Sequence, residues 1–393
     1  MAMSNLGLKA AIAACLAIPA TANAQFNDCT LANSPLQTGA DPINHVRLAL
    51  RQDGRPVLAY SNAVHNNASL YFYDCANPTC SAGQSVYLDT SSNYFGSSGI
   101  VIRADGRPAV VASYFGGVRF YDCADADCGS VTVVDIRPTA SAILSDIPIA
   151  LQQNGNPVVL YVDGVTSARP LYLIAHFCTD AGCVAAGSEA VLAIPPAMSG
   201  FGALSLAVGS DGDPAATYLT SEGASNLNNY DLARCGDSMC MSVTNTQISA
   251  PVGTSTPAFT ALAIRSDQRP LALDNQASNT ALLDCTTSDC TAVVNRLLPP
   301  SAVGQPMGLK LLPGDLPAFA LFNPSMVGAF ACTDATCSGG ASLQTTSPTT
   351  SIIDADFAVD SSPHPAIAYI DAGTSDLAIA GCYADLVFAN GFE

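Results

Sequence analysis

The chain has 393 residues, 49% of them hydrophobic, and its 14 basic and 32 acidic residues give a net charge of −18. A surface this acidic repels nucleic acid and anionic lipid, so binding to either is disfavoured. The 25 prolines and 30 glycines, together with abundant Val, Thr and Ser, favour a protein of strands and turns over a helical one.

Residues 1–24 have the features of a signal peptide. Lys9 supplies a positive charge, residues 10–20 form an apolar run, and Ala22-Asn23-Ala24 fits a signal-peptidase site. A membrane anchor would need about 20 apolar residues, and this run is shorter. We therefore expect a mature chain that starts at Gln25 and is periplasmic, surface-exposed or extracellular, with no membrane span. It would keep 13 basic and 32 acidic residues, a net charge of −19.

A repeat with a proline at its centre runs through the rest of the chain. RQDGRPVLAY at 51–60 recurs at 103–112, 152–161, 209–218, 265–274, 312–321 and 360–369. A repeat near 50 residues is typical of solenoids and propellers, in which each unit is one supersecondary structure. The repeat prolines are Pro56, Pro108, Pro157, Pro214, Pro270, Pro317 and Pro365.

Each unit also contains a strand that ends in cysteine, as in LYFYDC at 70–75. In six units a second cysteine follows after four residues. The pairs are Cys75 with Cys80, Cys123 with Cys128, Cys178 with Cys183, Cys235 with Cys240, Cys285 with Cys290, and Cys332 with Cys337. With a strand before the proline, one after it, one ending at the first cysteine and one leaving the second, each unit is predicted to be a four-stranded antiparallel blade.

The pattern predicts an all-β fold, a seven-bladed β-propeller over residues 25–387 with a short tail at 388–393. A linear β-solenoid and a string of sandwiches are the alternatives. The remaining cysteines favour the ring, because Cys29 stands where the fourth strand of a preceding blade would begin and Cys382 has no local partner. We predict that residues 29–37 complete blade seven and that a Cys29–Cys382 disulfide closes the ring.

The paired cysteines have two chemical interpretations. An exported protein meets an oxidising environment, in which closely spaced cysteines form disulfides. The two cysteines of a pair would then face each other across the two strands of a hairpin. The spacing also fits zinc ligation, but zinc needs two pairs, or a pair and histidines, around one ion. One pair in each blade would leave the pairs too far apart. We therefore predict seven disulfides, one in each blade, and no metal or cofactor.

The chain resembles secreted bacterial repeat proteins of the propeller class over essentially all of residues 25–387, in architecture only. VFANGFE at 387–393 is similar to a short tail found on some exported Gram-negative proteins. That resemblance implies at most a role in export or surface sorting. It implies no ligand and no reaction.

The connections between second and third strands, and between successive blades, are predicted to be long and unlike one another. They would share one face of the ring, here called the loop face, and the short first-to-second turns and cysteine hairpins would share the other, the turn face. Variable loops on a repeated scaffold are where binding residues concentrate. Candidate binding residues on the loop face are Tyr94, Phe95, Tyr114, Phe115, His65, Asp163 and Asp371.

Some of these candidates occupy the same position in their repeat units. The residues six after each repeat proline are Asn62, Tyr114, Asp163, Thr220, Gln276, Asn323 and Asp371. They would either surround the channel mouth or cap the ends of their strands. Tyr60, Tyr161, Tyr218 and Tyr369, four after the proline, are predicted to pack between blades.

The chain has none of the sequence motifs of common hydrolases, metalloproteases, nucleotide-binding loops or EF-hands. We therefore expect a monomeric, non-catalytic binding module for an extracellular protein or glycan. The alternatives are a hydrolase or lyase that uses Asp163, Asp371 and His65 at the channel mouth, and a structural surface component.

Overall fold

The protein is described here from a computed structural model. The structure describes Phe26 and residues 29–36, 43–64, 67–89, 94–114, 116–140, 146–164, 171–185, 187–195, 200–222, 227–253, 260–276, 279–302, 304–323, 326–346 and 351–384. The expected signal peptide and C-terminal tail lie outside these residues, as do His65 and Phe115.

The described residues form 28 strands in seven four-stranded antiparallel sheets. Blade one contains β2 (Ile43–Leu50), β3 (Pro56–Val64), β4 (Asn67–Cys75) and β5 (Gly83–Asp89). Blade two contains β6 (Tyr94–Ile102), β7 (Pro108–Tyr114), β8 (Gly116–Cys123) and β9 (Val131–Ala140). Blade three contains β10 (Ile149–Leu151), β11 (Pro157–Asp163), β12 (Tyr172–Phe177) and β13 (Ser188–Ala193).

The next three blades follow the same order, from the innermost strand outwards. Blade four contains β14 (Gly200–Val208), β15 (Pro214–Glu222), β16 (Leu227–Cys235) and β17 (Val243–Gly253). Blade five contains β18 (Thr260–Ile264), β19 (Pro270–Gln276), β20 (Asn279–Cys285) and β21 (Val293–Leu297). Blade six contains β22 (Gln305–Leu312), β23 (Leu316–Asn323), β24 (Met326–Cys332) and β25 (Gly340–Thr346).

Blade seven confirms the predicted ring closure. It contains β26 (Ile352–Val359), β27 (Pro365–Asp371) and β28 (Leu377–Ala384) from the end of the chain, and β1 (Cys29–Leu36) as its outermost strand. β1 pairs with β28 in an uninterrupted antiparallel register, and Cys29 is bonded to Cys382 with their Cα atoms 5.6 Å apart. The solenoid and the string of sandwiches are thereby excluded.

The six local disulfides are confirmed. Cys75 is bonded to Cys80, Cys123 to Cys128, Cys178 to Cys183, Cys235 to Cys240, Cys285 to Cys290, and Cys332 to Cys337. The Cα atoms of each pair are 4.7 or 4.8 Å apart. With the closing bond in blade seven, every blade contains one disulfide, as the sequence predicts.

The expected placement of the second cysteine in each pair is wrong, however. The two cysteines do not face each other across two strands, because the first cysteine pairs in the sheet with a residue three positions beyond the second. Cys235, Cys285 and Cys332 pair with Val243, Val293 and Gly340, so Cys240, Cys290 and Cys337 stand in the loop before the fourth strand. Cys80, Cys128 and Cys183 also precede the fourth strand of their blades.

These loop cysteines have a backbone conformation that is unusual for residues with a side chain. The φ angles of Cys80, Cys128, Cys183, Cys240, Cys290 and Cys337 are 53°, 56°, 54°, 52°, 58° and 55°. Each backbone N–H donates to a carbonyl three residues earlier, as from Cys80 to Asn77, so the disulfide closes a compact turn. We call this turn the disulfide tip. Spacing alone does not distinguish it from a plain hairpin with facing cysteines.

Hydrophobic cores lie between blades. The buried side chains form seven clusters, and each cluster combines residues from two neighbouring blades. Tyr60 and the Cys75–Cys80 bridge, for example, pack with Ala366 and Ile379 of blade seven. The predicted inter-blade packing of the four repeat tyrosines is confirmed, and each tyrosine hydroxyl also hydrogen-bonds a residue of the outermost strand of its own blade.

Buried arginines of the first-to-second turns join neighbouring blades on the turn face. Arg265 is only 2% exposed and makes an ion pair with Asp284 of its own blade. Its guanidinium also donates to the Asp315 carbonyl in the next turn and to the Ala335 carbonyl in the next disulfide tip. Arg51 makes the corresponding contacts in blade one, with Asp74 and two carbonyls of blade two. These contacts are here called the turn-face latch.

Candidate functional site

The innermost strands of the seven blades surround a central channel with a cavity of about 360 Å³. Most of its wall consists of backbone and small or aliphatic side chains. The charged residues in the wall are Arg47, Asp146, Lys310, Asp354 and Asp356. Each innermost strand runs from the loop face to the turn face, so residues early in the strand lie near the loop face.

An ionic cluster is centred on Arg47, near the middle of β2, and its acid Asp354 lies early in β26, toward the loop face. The Arg47 guanidinium donates to Asp354 Oδ2 at 2.9 Å and also makes an ion pair with Asp146. Asp354 belongs to blade seven, Arg47 to blade one, and Asp146 to the connection that enters blade three. The cluster therefore links three blades across the channel. We call it the channel bridge.

His45 extends the channel bridge into the interface with blade two. Its Nδ1 lies 2.8 Å from Asp354 Oδ2, and its Nε2 lies 3.4 Å from the Ser98 carbonyl oxygen. Both ring nitrogens thus face oxygen acceptors. Contacts at both ring nitrogens hold the imidazole in place, so His45 supports the geometry of the bridge.

A backbone hydrogen bond helps to stabilise the ionised form of the Asp354 carboxyl group. Its Oδ2 also accepts a hydrogen bond from the Val46 N–H at 2.9 Å. Burial by itself would raise the pKa of Asp354, but the Arg47 charge, His45 and the Val46 N–H together hold that pKa well below its usual range. Asp354 is therefore a carboxylate throughout the ordinary pH range.

We expect Asp354→Asn to destabilise the protein by about 2 kcal/mol at neutral pH, the usual worth of hydrogen bonds to a charged group. A carboxyl whose pKa is depressed in the folded state stabilises that state above its unfolded pKa of about 3.9, and the contribution disappears as pH falls through the folded value. The difference between variant and wild type should narrow steadily below about pH 4. Chemical denaturation across this pH range measures it.

Asp105→Asn is the matched control for that experiment, because Asp105 pairs with Arg107 in an exposed turn. Exposed ion pairs contribute about 0–1 kcal/mol, so this variant should stay close to wild type at every pH. A difference for Asp354→Asn that stayed constant down to acid pH would contradict the assigned role of the Asp354 charge.

Lys310, the single lysine of the expected mature chain, lies on β22 toward the turn-face end of the channel. It is exposed, and within the described part of the chain no acid lies close enough to form a salt bridge with it. The channel thus has an acidic cluster around Arg47 toward one end and a single cation toward the other.

Tyr94 and Tyr114 are brought together, as the sequence predicted. They lie opposite each other in the β6–β7 register, near the loop face. Arg119 lies over the Tyr114 ring, with Cζ 3.9 Å from the centroid, and its guanidinium pairs with Asp89 and Asp135. Tyr114 is half-buried by this contact. Phe95 also lies on β6, next to Tyr94 in the chain.

Asp163 and Asp371 occupy equivalent strand ends in blades three and seven, and the structure does not bring them together. The Asp163 carboxylate makes an ion pair with Arg137 on β9 of blade two. The Asp371 carboxylate accepts the Gly373 N–H within its own turn, at 2.6 Å. Neither lines the channel cavity. The proposed catalytic combination with His65 therefore has no support in the positions of its two aspartates.

Two of the other residues six after the repeat prolines make similar contacts near the ends of their strands. Asn62 accepts the Ser69 N–H, and Thr220 donates to Asp231. All seven positions belong to the second strand of a blade, and the channel wall is built from the first. The observed contacts of Asn62 and Thr220 fit strand-end capping, and a position around the channel mouth stays a prediction.

Two loop-face connections of blades one and two are shorter than the sequence predicts. In blade one, β3 extends to Val64 and β4 begins at Asn67. Likewise β5 extends to Asp89 and β6 begins at Tyr94. The pairing of β2 with β3 continues beyond a register shift between Ile43 and His45, so the strands are longer than a regular ladder would allow. The strand ends beyond such shifts are polar, and in sequence they resemble loops.

A histidine and two cysteines lie together on the side of the ring. Potential ligand atoms of His176, Cys178 and Cys183 are within 4.8 Å of one another. Because Cys178 and Cys183 are bonded to each other, their sulfurs are not thiolates in this state. His176 and Cys183 also line a cavity of about 420 Å³ between blades two and three, which we call the side cleft.

No protein-family model and no curated protein sequence matches the chain. Among solved structures, a streptogramin B lyase is 10% identical with a TM-score of 0.55, over 90% of this chain and 98% of that chain. A virginiamycin B lyase from Staphylococcus aureus is 12% identical with a TM-score of 0.53, over the same shares.

A polysaccharide lyase is 6% identical with a TM-score of 0.57, over 90% of this chain and 92% of that chain. The shared property is the propeller fold. At these identities the similarity establishes architecture and carries no assignment of substrate or catalytic residues. No described helix is long and apolar enough to cross a membrane.

Proposed function

We propose that this protein is an exported binding module that takes an extracellular protein or glycan on its loop face, over the mouth of the channel. The supporting observation is the channel bridge, which fixes three blades relative to one another directly beneath that face. A rigid frame lowers the ordering cost of binding. The disulfide in every blade supports an oxidising compartment.

The ligand surface would include the Tyr114 ring and the Asp163–Arg137 ion pair. Tyr94 lies opposite Tyr114 in the sheet. Tyrosine loses little conformational entropy when it is buried and offers both an apolar face and a hydroxyl. The Arg119 contact already holds Tyr114 in place. Such an arrangement favours a neutral or weakly basic ligand, because the surrounding carboxylates and the net charge of the chain disfavour an anionic one.

A pull-down from culture supernatant and a glycan array with the mature protein would identify the ligand. Tyr114→Ala should then reduce its affinity about ten-fold or more, the usual effect of removing a buried aromatic anchor. Arg107→Ala is the matched control, since it removes an exposed side chain on the turn face and should leave the affinity unchanged. Unchanged affinity in Tyr114→Ala, or an equal loss in the control, would overturn the proposal.

A hydrolase or lyase is the second candidate function, since Ser61, opposite His45 in the sheet, and Ser98, whose carbonyl contacts the His45 ring, both have buried hydroxyls without a hydrogen-bond partner in the structure. Asp354 orients His45, as the acid does in a Ser–His–Asp arrangement, although His45 would first have to give up its contact with the Ser98 carbonyl. A serine-directed covalent probe should then label Ser61 or Ser98, and His45→Gln should abolish the labelling. An unlabelled wild-type protein that still binds its ligand would leave the binding module as the sole interpretation.

A further inference from the structure

Blade three differs from the other blades at one position beside its disulfide tip. The residue two before the first cysteine is His176, whereas the matching residues in the other blades are Tyr73, Tyr121, Ala233, Leu283, Phe330 and Ala380. His176 and Cys178 are two residues apart, the spacing that places side chains on the same side of a strand. Blade three therefore has a metal-binding side chain where its counterparts have apolar groups or a phenol.

The His176 imidazole is nine-tenths buried, yet it is not fully satisfied. Its Nδ1 is buried without a hydrogen-bond partner, and the Glu189 carboxylate approaches it only to 3.6 Å, through Oε1. Buried polar groups are normally paired, so an unpaired ring nitrogen on a histidine that lies beside two cysteines indicates capacity for a further ligand. The side cleft gives access to it from solvent, because His176, Cys183 and Glu189 all line that cleft.

From these contacts we infer that blade three holds a redox-gated zinc site, formed by His176, Cys178 and Cys183 when the Cys178–Cys183 bond is reduced. A dithiol would give two electrons and two protons to that bond, leaving two protein thiols and its own cyclic disulfide. Zn²⁺ then displaces the two thiol protons and binds both sulfurs and a ring nitrogen.

The geometry suits tetrahedral zinc. Zinc–sulfur bonds of about 2.3 Å place two thiolates roughly 3.8 Å apart, so the freed sulfurs would separate from bonding distance to about van der Waals contact. The observed span of 4.8 Å among the three ligand atoms already falls within reach of one ion. Glu189 or water from the side cleft would supply the fourth ligand. The oxidised bridge cannot bind zinc this way, so the redox state decides occupancy.

Thiol footprinting tests the site with internal controls. The mature protein is reduced with a phosphine, incubated with Zn²⁺ and treated with an alkylating reagent, and each cysteine is followed by peptide mapping. Zinc should slow alkylation of Cys178 and Cys183 by about ten-fold or more, because metal-bound thiolates react slowly, and a chelator should reverse the effect. Cys123 and Cys128, beside Tyr121, should show no such protection. Equal protection of all pairs, or of none, would overturn the inference.

A second variant avoids global reduction. Cys183→Ser leaves the other six bridges intact and frees the Cys178 thiol beside His176 and Glu189. Added Co²⁺ should give a thiolate-to-metal charge-transfer band in this variant and not in Cys183→Ser with His176→Tyr, which installs the residue found in blades one and two. The same band in both variants, or in neither, would refute a role for His176.

Discussion

Removing the Cys29–Cys382 bridge is expected to destabilise the protein more than removing any other disulfide. In the chain-entropy model a bridge that closes a loop of 354 residues contributes about 6 kcal/mol, and one that closes six residues contributes about 2 kcal/mol. The double variant Cys29→Ser with Cys382→Ser should therefore melt far below wild type. Calorimetry or denaturant titration of the two oxidised proteins measures the difference.

The matched control is Cys123→Ser with Cys128→Ser, which removes a local bridge and leaves the ring covalently closed. In the variant without Cys29 and Cys382, β1 would still be hydrogen-bonded to β28. The loss of stability would therefore come from the missing covalent restraint on the unfolded chain and not from lost sheet pairing. If the local variant were the less stable of the two, the disulfide tip would matter through packing and the ring-closure explanation would be wrong.

Arg265→Met should cost about 3–5 kcal/mol, the usual penalty for removing one member of a buried charged pair. The substitution keeps much of the side-chain volume. It abolishes the hydrogen bonds to the Asp315 and Ala335 carbonyls and leaves Asp284 with Arg296 alone. Two blades would lose a direct link, so the unfolding midpoint in denaturant should fall with little change in slope.

Arg269→Met provides the comparison within the same turn. Arg269 pairs with Asp267 at 2.6 Å, but the two side chains are 35% and 49% exposed. Exposed pairs are worth about 0–1 kcal/mol, so this variant should be nearly as stable as wild type. Similar losses in the two variants would show that general charge, and not the turn-face latch, controls stability.

The architecture could be predicted because each repeat unit contains residues that indicate where its turns and strands lie. Pro56 and five of its counterparts are the first residues of their second strands, and Pro317 is the second residue of β23. Gly54 takes a φ of 79° in the turn that precedes Pro56. Ring closure could be predicted because Cys29 and Cys382 were left over after local pairing. The first signal lies within one repeat unit, and the second depends only on the number of cysteines. Both can be seen without knowledge of side-chain contacts.

The candidate site could not be predicted in the same way. Arg47 and Asp354 are 307 positions apart, and nothing in the local pattern of either strand identifies its partner. The contacts of the candidate aspartates could not be predicted for a related reason, since strand-end polar residues look alike whether they cap a turn, as Asp371 does, or pair with another blade, as Asp163 does. His176 stands two residues before Cys178 in the sequence, but spacing alone does not show that its Nδ1 is buried without a hydrogen-bond partner.

The placement of cores between blades also bears on how the chain could be rearranged. Among the described residues, the hydrophobic clusters all join one blade to the next, so the seven interfaces are of one kind. In blade seven, made from both chain ends, no chain segment connects the third strand to the fourth, and the disulfide from Cys382 to Cys29 of β1 joins them. We therefore expect circular permutation to be tolerated, with the new termini placed at any other disulfide tip.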